Sequence, residues 1–376
     1  MFAVSVLSYI AQLEVIPKRV LDSERVHVLQ MFPGPGQWAI PEDFWFAHES
    51  FGLAKSASSI GLMARAAKFR MAMLGCRFDG MEATLQGVKR QGVDTIFTRW
   101  CALQEARSQT DHVDRVVHWH EWYNNCHCKV LIDNVRWFGS KGITFDRILK
   151  DVVPQPSGDA NNDFKRLRGG LQKGALKALK AALTPNATER IRNKIERWRD
   201  VPFGLTGLPG QYAPAIKRRL HKLSGLVNPR VHAAVFSTVW NRWVTHRRYQ
   251  QRASTSNKCV FKCNKSAEDS LEHYCRCPAI LKVARHMMHF EYPAEQALNI
   301  WVLNSSWLDD DDNLRGLGLL IYGAYMGFNS IRHRGAACVD EAVQCISQHA
   351  RQGAMNNNAC TSYLHTRWQT PMKYVI

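Results

Sequence analysis

The segment from Cys259 to Pro278 constrains the fold of this chain most, because it holds several soft metal ligands within a span that one ion can gather. Cys259 and Cys263 are separated by three residues, and Cys277 lies four positions beyond His273. Zinc prefers four tetrahedral thiolate or imidazole ligands, and short spacing within each pair lets a turn and the start of a helix present both members from one side. The segment therefore predicts a structural zinc site with the ligands Cys259, Cys263, His273 and Cys277.

Cys275 is an alternative fourth ligand, since it also lies within reach of an ion held by His273. The run from Ser270 to His273 predicts a short helix that carries His273 and ends at Pro278. The competing interpretation is that the thiols simply pack as small apolar groups in a cysteine-rich chain. If zinc is bound, the segment is too short to own a hydrophobic core, so metal binding is expected to supply its folding energy.

The charge of the chain is concentrated in one region. At 376 residues, with 45% hydrophobic residues, the chain is long enough for more than one globular domain. The segment from Lys165 to Gln250 contains 19 Lys and Arg but only three acidic residues, so it carries +16 of the formal net charge of +18. Such a field attracts polyanions, and the first candidate is a nucleic-acid backbone.

Cationic amphipathic helices are predicted in this basic segment, each with one apolar and one cationic stripe. The apolar stripes are Leu176, Leu179 and Leu183, then Ile191, Ile195 and Trp198, then Val235, Val239 and Trp243. Thr184 is expected to cap the second helix, and Asn228-Pro229 is expected to begin the third. The cationic stripe of the second helix is Arg190, Lys194 and Arg197. Because a solvated surface usually mixes charges of both signs, these stripes predict nucleic-acid contact. The best candidates for phosphate contacts are Lys173, Lys177, Arg190, Arg197, Arg218 and Lys222.

Other local signals place helices along the rest of the chain. Pro41 occupies a first helical position, and Ser58 to Leu74 has the apolar spacing of a helix. The four residues Asp309 to Asp312 read as a solvated loop that caps a helix starting near Leu314. The uncharged stretch from Gly316 to Ile331 has 16 residues, which is short for a membrane span, and predicts a buried helix.

The predicted fold is a mainly α, multi-domain helical protein with a small zinc-knuckle module. The expected divisions are a helical domain (1–110), a Trp/His-rich subdomain and linker (111–163), the basic helices (164–250), the zinc knuckle (251–290), a C-terminal helical piece (291–353) and a disordered tail (354–376). The linker is Pro154 to Asn162. The histidines and cysteines between His112 and Cys128 lack paired ligand spacing, so this cluster is interpreted as a packed subdomain.

The cysteines also bear on the compartment. There are 11, and the apolar opening from Met1 to Leu13 lacks the basic start and the cleavage site of a secretory signal. Reduced thiols in an intracellular protein are the expectation. No membrane partner and no small-molecule substrate are indicated by the sequence.

Three stretches resemble one family. The run from Val6 to Leu13 and the proline-rich turn after it resemble the thumb that follows the catalytic palm in reverse transcriptases of non-LTR (LINE-type) retrotransposons. The constellation Cys259, Cys263, His273, Cys277 resembles the Cys-Cys-His-Cys knuckle near the C-terminus of those polyproteins, and Leu319 to Arg332 is similar to the helix that often follows it. The resemblance implies a thumb-like domain over 1–110, RNA or DNA as the partner, and a nuclear location.

The departures from that family concern catalysis. Its polymerase needs an aromatic-Ala-Asp-Asp sequence to hold two metal ions, and this tetrapeptide is absent from the chain. The chain therefore resembles a fragment that starts at the thumb, and on its own it is not expected to polymerise. A host helical scaffold with a structural zinc site is the alternative function. A hydrolase is the weakest reading, because the sequence pairs no nucleophile with a base.

Overall fold

The computed structural model of the chain describes residues 15–36, 38–74, 134, 136–143, 145–152, 160–196, 198, 212–246, 258–264, 267–289, 291–292, 294–333 and 336–367. The described residues form helices, and their one β-type pairing is an isolated bridge between Lys258 and Glu268. The prediction of a mainly α protein is therefore confirmed. Across these residues, every helix is too short or too polar to cross a membrane.

The chain divides into two compact units that run across the predicted divisions. The first unit comprises Met1–His27 and Ser58–Thr184, and the second comprises Val28–Ala57 and Pro185–Ile376. The predicted basic segment 164–250 is thus shared between the units, with its first helix in one and the following helices in the other.

The first unit is built around one long helix. Its helices are the start of α1 (Lys18–Met31), α4 (Ile60–Leu74), α5 (Phe145–Val152) and α6 (Ala160–Leu183). The inner face of α6 packs against α4 and α5. Their shared core consists of Ala66, Phe69, Phe138, Ile143, Ile148, Leu171, Ala175, Ala178 and Leu179. Leu176 and Leu183 pack at its margin, so the predicted apolar stripe of α6 does face a core.

The second unit contains the stretch from Cys259 to Pro278, which we call the metal-ligand segment. Its helices are α2 (Pro41–Trp45), α3 (Ala47–Phe51), α7 (Ala187–Ile195), α8 (Tyr212–Leu226), α9 (Pro229–Val239), α10 (Leu271–Tyr274), α11 (Pro278–Lys282), α12 (Ala297–Trp301), α13 (Asp311–Ile331), α14 (Val339–Ala354) and α15 (Asn358–Arg367). The buried helix α13 packs against α8, α9 and α14. A Cβ added at Gly323 would lie 2.6 Å from the Ile346 carbonyl oxygen of α14, so glycine permits this close helix contact.

Several predicted starts and caps are confirmed. Pro41 is the first residue of α2, and Pro229 is the first residue of α9. The Asp310 carboxylate accepts a hydrogen bond of 2.8 Å from the Asn313 N–H and so caps α13. These signals are local, since each depends on residues within one helical turn.

Four boundaries differ from the predictions. The helix α7 is capped by Asn186, whose side chain accepts from the Glu189 N–H, whereas the Thr184 hydroxyl donates back to the Lys180 carbonyl. The helix α6 already begins at Ala160, inside the predicted linker. The helix α9 ends at Val239, before Trp243. The predicted disordered tail contains the helix Asn358–Arg367.

Candidate metal centre

The first pair of ligands lies on a tight turn. The Lys262 N–H donates to the Cys259 carbonyl over 3.0 Å, and Lys262 has a φ of 50°, in the left-handed region. The Cys259 N–H donates to the Ala267 carbonyl over 2.8 Å, next to the bridge between Lys258 and Glu268. This turn folds Cys263 back toward Cys259, which is how the short spacing in the sequence becomes a pair of neighbouring thiols.

The second pair lies on two short helices. His273 is on α10, where the Ser270 hydroxyl caps the helix by accepting from the His273 N–H at 3.2 Å. Cys277 precedes α11, and its N–H donates to the Tyr274 carbonyl. The predicted helix carrying His273 is therefore confirmed. It ends before Pro278, which instead occupies the first position of α11.

The four predicted ligands converge. One ligand atom from each of Cys259, Cys263, His273 and Cys277 lies within 4.8 Å of all the others. The Cys259 and Cys277 Sγ atoms are 3.9 Å apart, and the Cys263 Sγ is 3.1 Å from His273 Nε2. Zn–S bonds of about 2.3 Å at a tetrahedral angle place two sulfurs about 3.8 Å apart. The cluster could thus hold one metal ion.

Cys275 does not belong to this cluster. Its side chain is fully buried, and its Sγ donates to the Leu271 carbonyl one helical turn earlier, over 3.1 Å. Burial raises the pKa of the Cys275 thiol well above its usual range. Because residues two positions apart on a helical turn point in different directions, His273 of α10 faces the cluster while Cys275, the residue that caps the end of α10, faces the protein interior.

Hydrogen bonds between the thiols of the cluster link their pKa values. Hydrogen bonds from Cys259 and then Cys277 lower the pKa of the Cys263 thiol, whereas the bond to Cys263 raises the pKa of Cys259 to about 12. Hydrogen bonds to Cys259 and Cys263 likewise raise the pKa of Cys277. Without a cation, one thiolate is stabilised at the expense of the other two. A divalent ion would stabilise all three thiolates, which is the charge balance of a metal–thiolate site.

The metal-ligand segment is packed onto an aromatic core. Phe261 and Tyr274 are both fully buried, and Tyr274 lies against Trp243 and Phe328 at ring distances of 5.5 and 5.6 Å. Phe261 meets the edge of the Tyr274 ring at 5.2 Å. The segment therefore packs on apolar residues supplied by other elements, which the sequence pattern did not reveal. It contributes two aromatic residues to a core shared with α13 and with the residues after α9.

Asp269 supports this packing and was missed by the sequence reasoning. Its carboxylate accepts from the Tyr274 hydroxyl at 2.5 Å and from the His246 N–H at 2.7 Å. Burial raises the pKa of Asp269, while the hydrogen bonds from Tyr274 and His246 oppose that rise. The carboxylate links the metal-ligand segment to the residues after α9. Asp269 immediately precedes the Ser270 cap, and this is a local signal. Its bond from His246 crosses 23 residues of the chain and has no local signal.

The six candidate phosphate contacts are in different environments. Lys173 and Lys177 are exposed on α6, where Lys177 forms a solvent-exposed ion pair with Asp151 at 3.1 Å. Arg197 lies outside the described residues. The other three are held by carboxylates of the second unit. The described candidates of that unit are thus each paired with a carboxylate of the same unit.

Arg190 has the least exposed side chain of these three. Its guanidinium makes a two-point contact with the Asp43 carboxylate, at 2.9 and 2.5 Å, and Asp43 is 2% exposed. Lys194, assigned to the same outer stripe, is also buried, and its Nζ donates to the Trp38 carbonyl at 2.6 Å. Arg190 and Lys194 face inward because residues 38–46 of the same unit cover this side of α7.

Arg218 and Lys222 pair with the acidic run ahead of α13. Arg218 is 3.5 Å from the Asp309 carboxylate, which also pairs with the buried Arg219 at 3.0 Å. Lys222 contacts Asp311 at 2.5 Å. The predicted solvated loop is therefore also an ion-pair partner for α8. Both Arg218 and Asp309 are more than half exposed, so their pair contributes little stability.

The hydrolase reading gains no support from the one serine–histidine contact of α13 and α14. His349 Nε2 lies 3.0 Å from the Ser330 hydroxyl, and His349 Nδ1 lies 2.9 Å from the Gln352 side-chain oxygen. The Ser330 hydroxyl, however, also lies 2.9 Å from the Met326 carbonyl. The single hydroxyl proton has two possible acceptors, the Met326 carbonyl and, when Nδ1 donates to Gln352, His349 Nε2, so this contact by itself does not identify an activated nucleophile.

Other predicted features lie outside the described residues. They are the thumb-like run from Val6 to Leu13 and the histidine and cysteine cluster between His112 and Cys128. Comparison with family models, with curated proteins and with solved structures gives no match to this chain. The function therefore has to be argued from the metal-ligand cluster and the charged surface.

Proposed function

We propose that this chain is a nucleic-acid-binding protein whose cluster of three cysteines and one histidine holds a structural zinc ion. The observation that carries the zinc assignment is the convergence of four soft ligand atoms within 4.8 Å. Three thiolates with one imidazole in a tetrahedral arrangement favour zinc over the oxygen-seeking ions magnesium and calcium. A site closed by four protein ligands has no open position for a substrate, which favours a structural role.

Nucleic-acid binding is supported by the helix α6. Its sequence contains six Lys and Arg but one acidic residue, Asp163, which gives the helix a formal net charge of +5. Arg166, Lys173 and Lys177 are exposed, while the opposite face of the helix packs into the core of the first unit. A cationic helix face fixed by its own core matches the requirement for gripping a phosphate backbone.

The resemblance to the C-terminal part of LINE-type reverse transcriptases supports the same partner. Under this proposal the chain is the portion from thumb through knuckle, and it binds RNA or DNA in the nucleus without polymerising. The knuckle has a stabilising role in the proposal, because its aromatic residues Phe261 and Tyr274 are buried and so are unable to stack on bases.

The scaffold alternative is favoured by one observation on the second unit. There Arg190, Arg218 and Lys222, three of the candidate contacts, are bonded to carboxylates of the same unit. In this reading the second unit is a zinc-stabilised helical scaffold whose charges are largely internal. The two functions are compatible if the first unit makes the phosphate contacts.

The salt dependence of binding separates these readings. A protein that neutralises phosphates loses affinity linearly with salt on logarithmic axes, by a slope of about −0.9 per phosphate on duplex DNA. We expect Lys173→Gln and Lys177→Gln each to reduce the magnitude of the slope by about one, measured by fluorescence anisotropy over a salt series. Arg218→Gln is the matched control, because Arg218 is a similarly exposed cation in a similarly weak ion pair but lies on α8 of the second unit, and we expect its slope to equal that of the wild type.

Two results would count against the proposal. An affinity that does not change with salt would remove the phosphate contacts as its basis. A slope reduced by Arg218→Gln, but not by the two lysine substitutions, would move the contact surface from α6 to the second unit.

A further inference from the structure

The exposed side of α6 has a cationic surface with a gap in it. We call this surface the α6 face and define it by Arg166, Gly169, Lys173 and Lys177, which follow one another at helical spacings of three or four residues. With a rise of about 1.5 Å per residue, the face extends about 16 Å along the helix. All four positions are exposed, so the side chains surround a glycine without covering it.

Gly169 has a different environment from the other glycines of this helix. A Cβ added at Gly170 would lie 2.4 Å from Val152 of α5, and one added at Gly174 would lie 2.5 Å from the same side chain. Those two glycines are required by packing within the unit. A Cβ added at Gly169 would meet nothing within 4 Å. The fold therefore does not require glycine at 169, and glycine in a helix interior is unfavourable by about 1 kcal/mol relative to alanine.

The described residues include no largely exposed aromatic ring on which a base could stack. The exposed large apolar side chains in the described ranges are Val15, Val26, Met31, Ile40 and Met355, and none of these is aromatic. Proteins that hold single strands gain about 1 to 3 kcal/mol per base from stacking on exposed aromatic rings. Among the described residues, cations for phosphates are well exposed, whereas the aromatic rings are at most partly exposed.

We propose that the α6 face is a docking surface for the backbone of a double-helical nucleic acid, with Gly169 as the point of close approach. This inference rests on the proposed function and names its substrate class. A duplex has about one negative charge per 1.7 Å of its axis, twice the density of one strand. Arg166 and Lys173 flank the gap at Gly169 and contact phosphates on either side of it. The exposed pair between Lys177 and Asp151 is weak enough to yield to a phosphate.

The test compares full-length wild type with Gly169→Leu on two probes, a duplex of about 20 base pairs and one of its separated strands. Leucine fills the gap without clashing with the fold and is a better helix former than glycine, so we expect helicity and thermal stability to be equal to or slightly above those of the wild type. We expect duplex affinity to fall about tenfold. We expect the magnitude of the salt slope to decrease by about 1.8, which corresponds to the loss of about two phosphate contacts. Gly225→Leu is the matched control. Gly225 is also an exposed helical glycine with open space around it, but it lies on α8 of the second unit.

The outcomes separate this inference from the function on which it rests. Tighter binding to duplex than to single strand, lost in Gly169→Leu but kept in Gly225→Leu, supports the inference. Equal or tighter binding to the single strand overturns it and leaves nucleic-acid binding in place. Duplex binding that is unaffected by Gly169→Leu also overturns it, because the face would then not touch the ligand. If neither probe binds at low salt, both the inference and the proposed function fail.

Discussion

Cys277→Ala is expected to abolish zinc binding by the purified chain, whereas Cys275→Ala is expected to retain about one zinc ion per chain. The Cys277 sulfur lies 3.9 Å from that of Cys259, but the Cys275 sulfur is bonded to the Leu271 carbonyl. Structural zinc contributes about 10 to 16 kcal/mol of apparent binding free energy in isolated zinc-finger peptides, which makes this the largest effect we predict. Zinc content by mass spectrometry under native conditions is the measurement.

Loss of zinc in the Cys277→Ala chain should loosen only the structure near the metal ligands. Because Phe261 and Tyr274 are anchored in the aromatic core, we expect the Cys277→Ala chain to keep its helices and to lose protection in the turn from Lys258 to Glu268. Limited proteolysis detects this change. Zinc retained by Cys277→Ala and lost by Cys275→Ala would reverse the ligand assignment. Global unfolding in the Cys277→Ala chain would show that the aromatic core is too weak to hold the segment without metal.

Asp43→Ala is expected to destabilise the second unit by about 3 to 5 kcal/mol, the effect of leaving a buried charge without its partner. The Asp43 carboxylate accepts from both the Nε and a terminal nitrogen of Arg190. It also accepts from the Ile40 N–H at 3.0 Å and from the Trp240 indole at 3.3 Å. One buried carboxylate thus joins α2, α7 and α9. Urea unfolding followed by circular dichroism measures the loss.

The matched control for this substitution lies on α7, the helix that carries Arg190. Arg192 pairs with Glu196 at 3.7 Å, but both side chains are close to half exposed. We expect Arg192→Met to change stability by less than about 1 kcal/mol. The double substitution Asp43→Leu with Arg190→Met should recover part of the loss, since it removes both charges together. Equal destabilisation by Asp43→Ala and Arg192→Met would show that the buried Asp43–Arg190 pair contributes no more to the free energy of unfolding than an exposed ion pair.

Features with short-range causes could be predicted from the sequence. The four metal ligands fall within 19 residues, and the turn and the Ser270 cap that orient them are formed by the same stretch. The starts of α2, α9 and α13 were predictable for the same reason. The error at Thr184 was also local, because Asn186 and Glu189 stand three residues apart, the spacing of a helix N-terminus signal, and were overlooked.

Features with long-range causes could not be predicted in this way. Arg190 and Lys194 have the spacing of an exposed cationic stripe, yet their partners Asp43 and Trp38 lie about 150 residues earlier in the chain. No periodicity within α7 could reveal that residues 38–46 cover it. The aromatic core beneath the candidate metal ligands was missed for the same reason, since Tyr274 meets Trp243 after α9 and Phe328 on α13, both distant in the chain.

The contacts of the metal-ligand segment with the rest of its unit change the role expected of the metal centre. A knuckle that folds alone would be free to clamp a strand, but this one is joined to its unit through Tyr274 and Asp269. We therefore propose that α6 makes the phosphate contacts and that the candidate zinc site has a stabilising role. The two can be perturbed independently, because their residues belong to different compact units.

X-ray absorption at the zinc edge of the full-length chain, purified without chelator, tests the central claim most directly. The account predicts about one zinc per chain, with three sulfur neighbours at about 2.3 Å and one nitrogen neighbour at about 2.0 to 2.1 Å. A chain that contains no zinc, or a spectrum dominated by oxygen and nitrogen neighbours, would contradict the assignment of Cys259, Cys263, His273 and Cys277 as a structural zinc site.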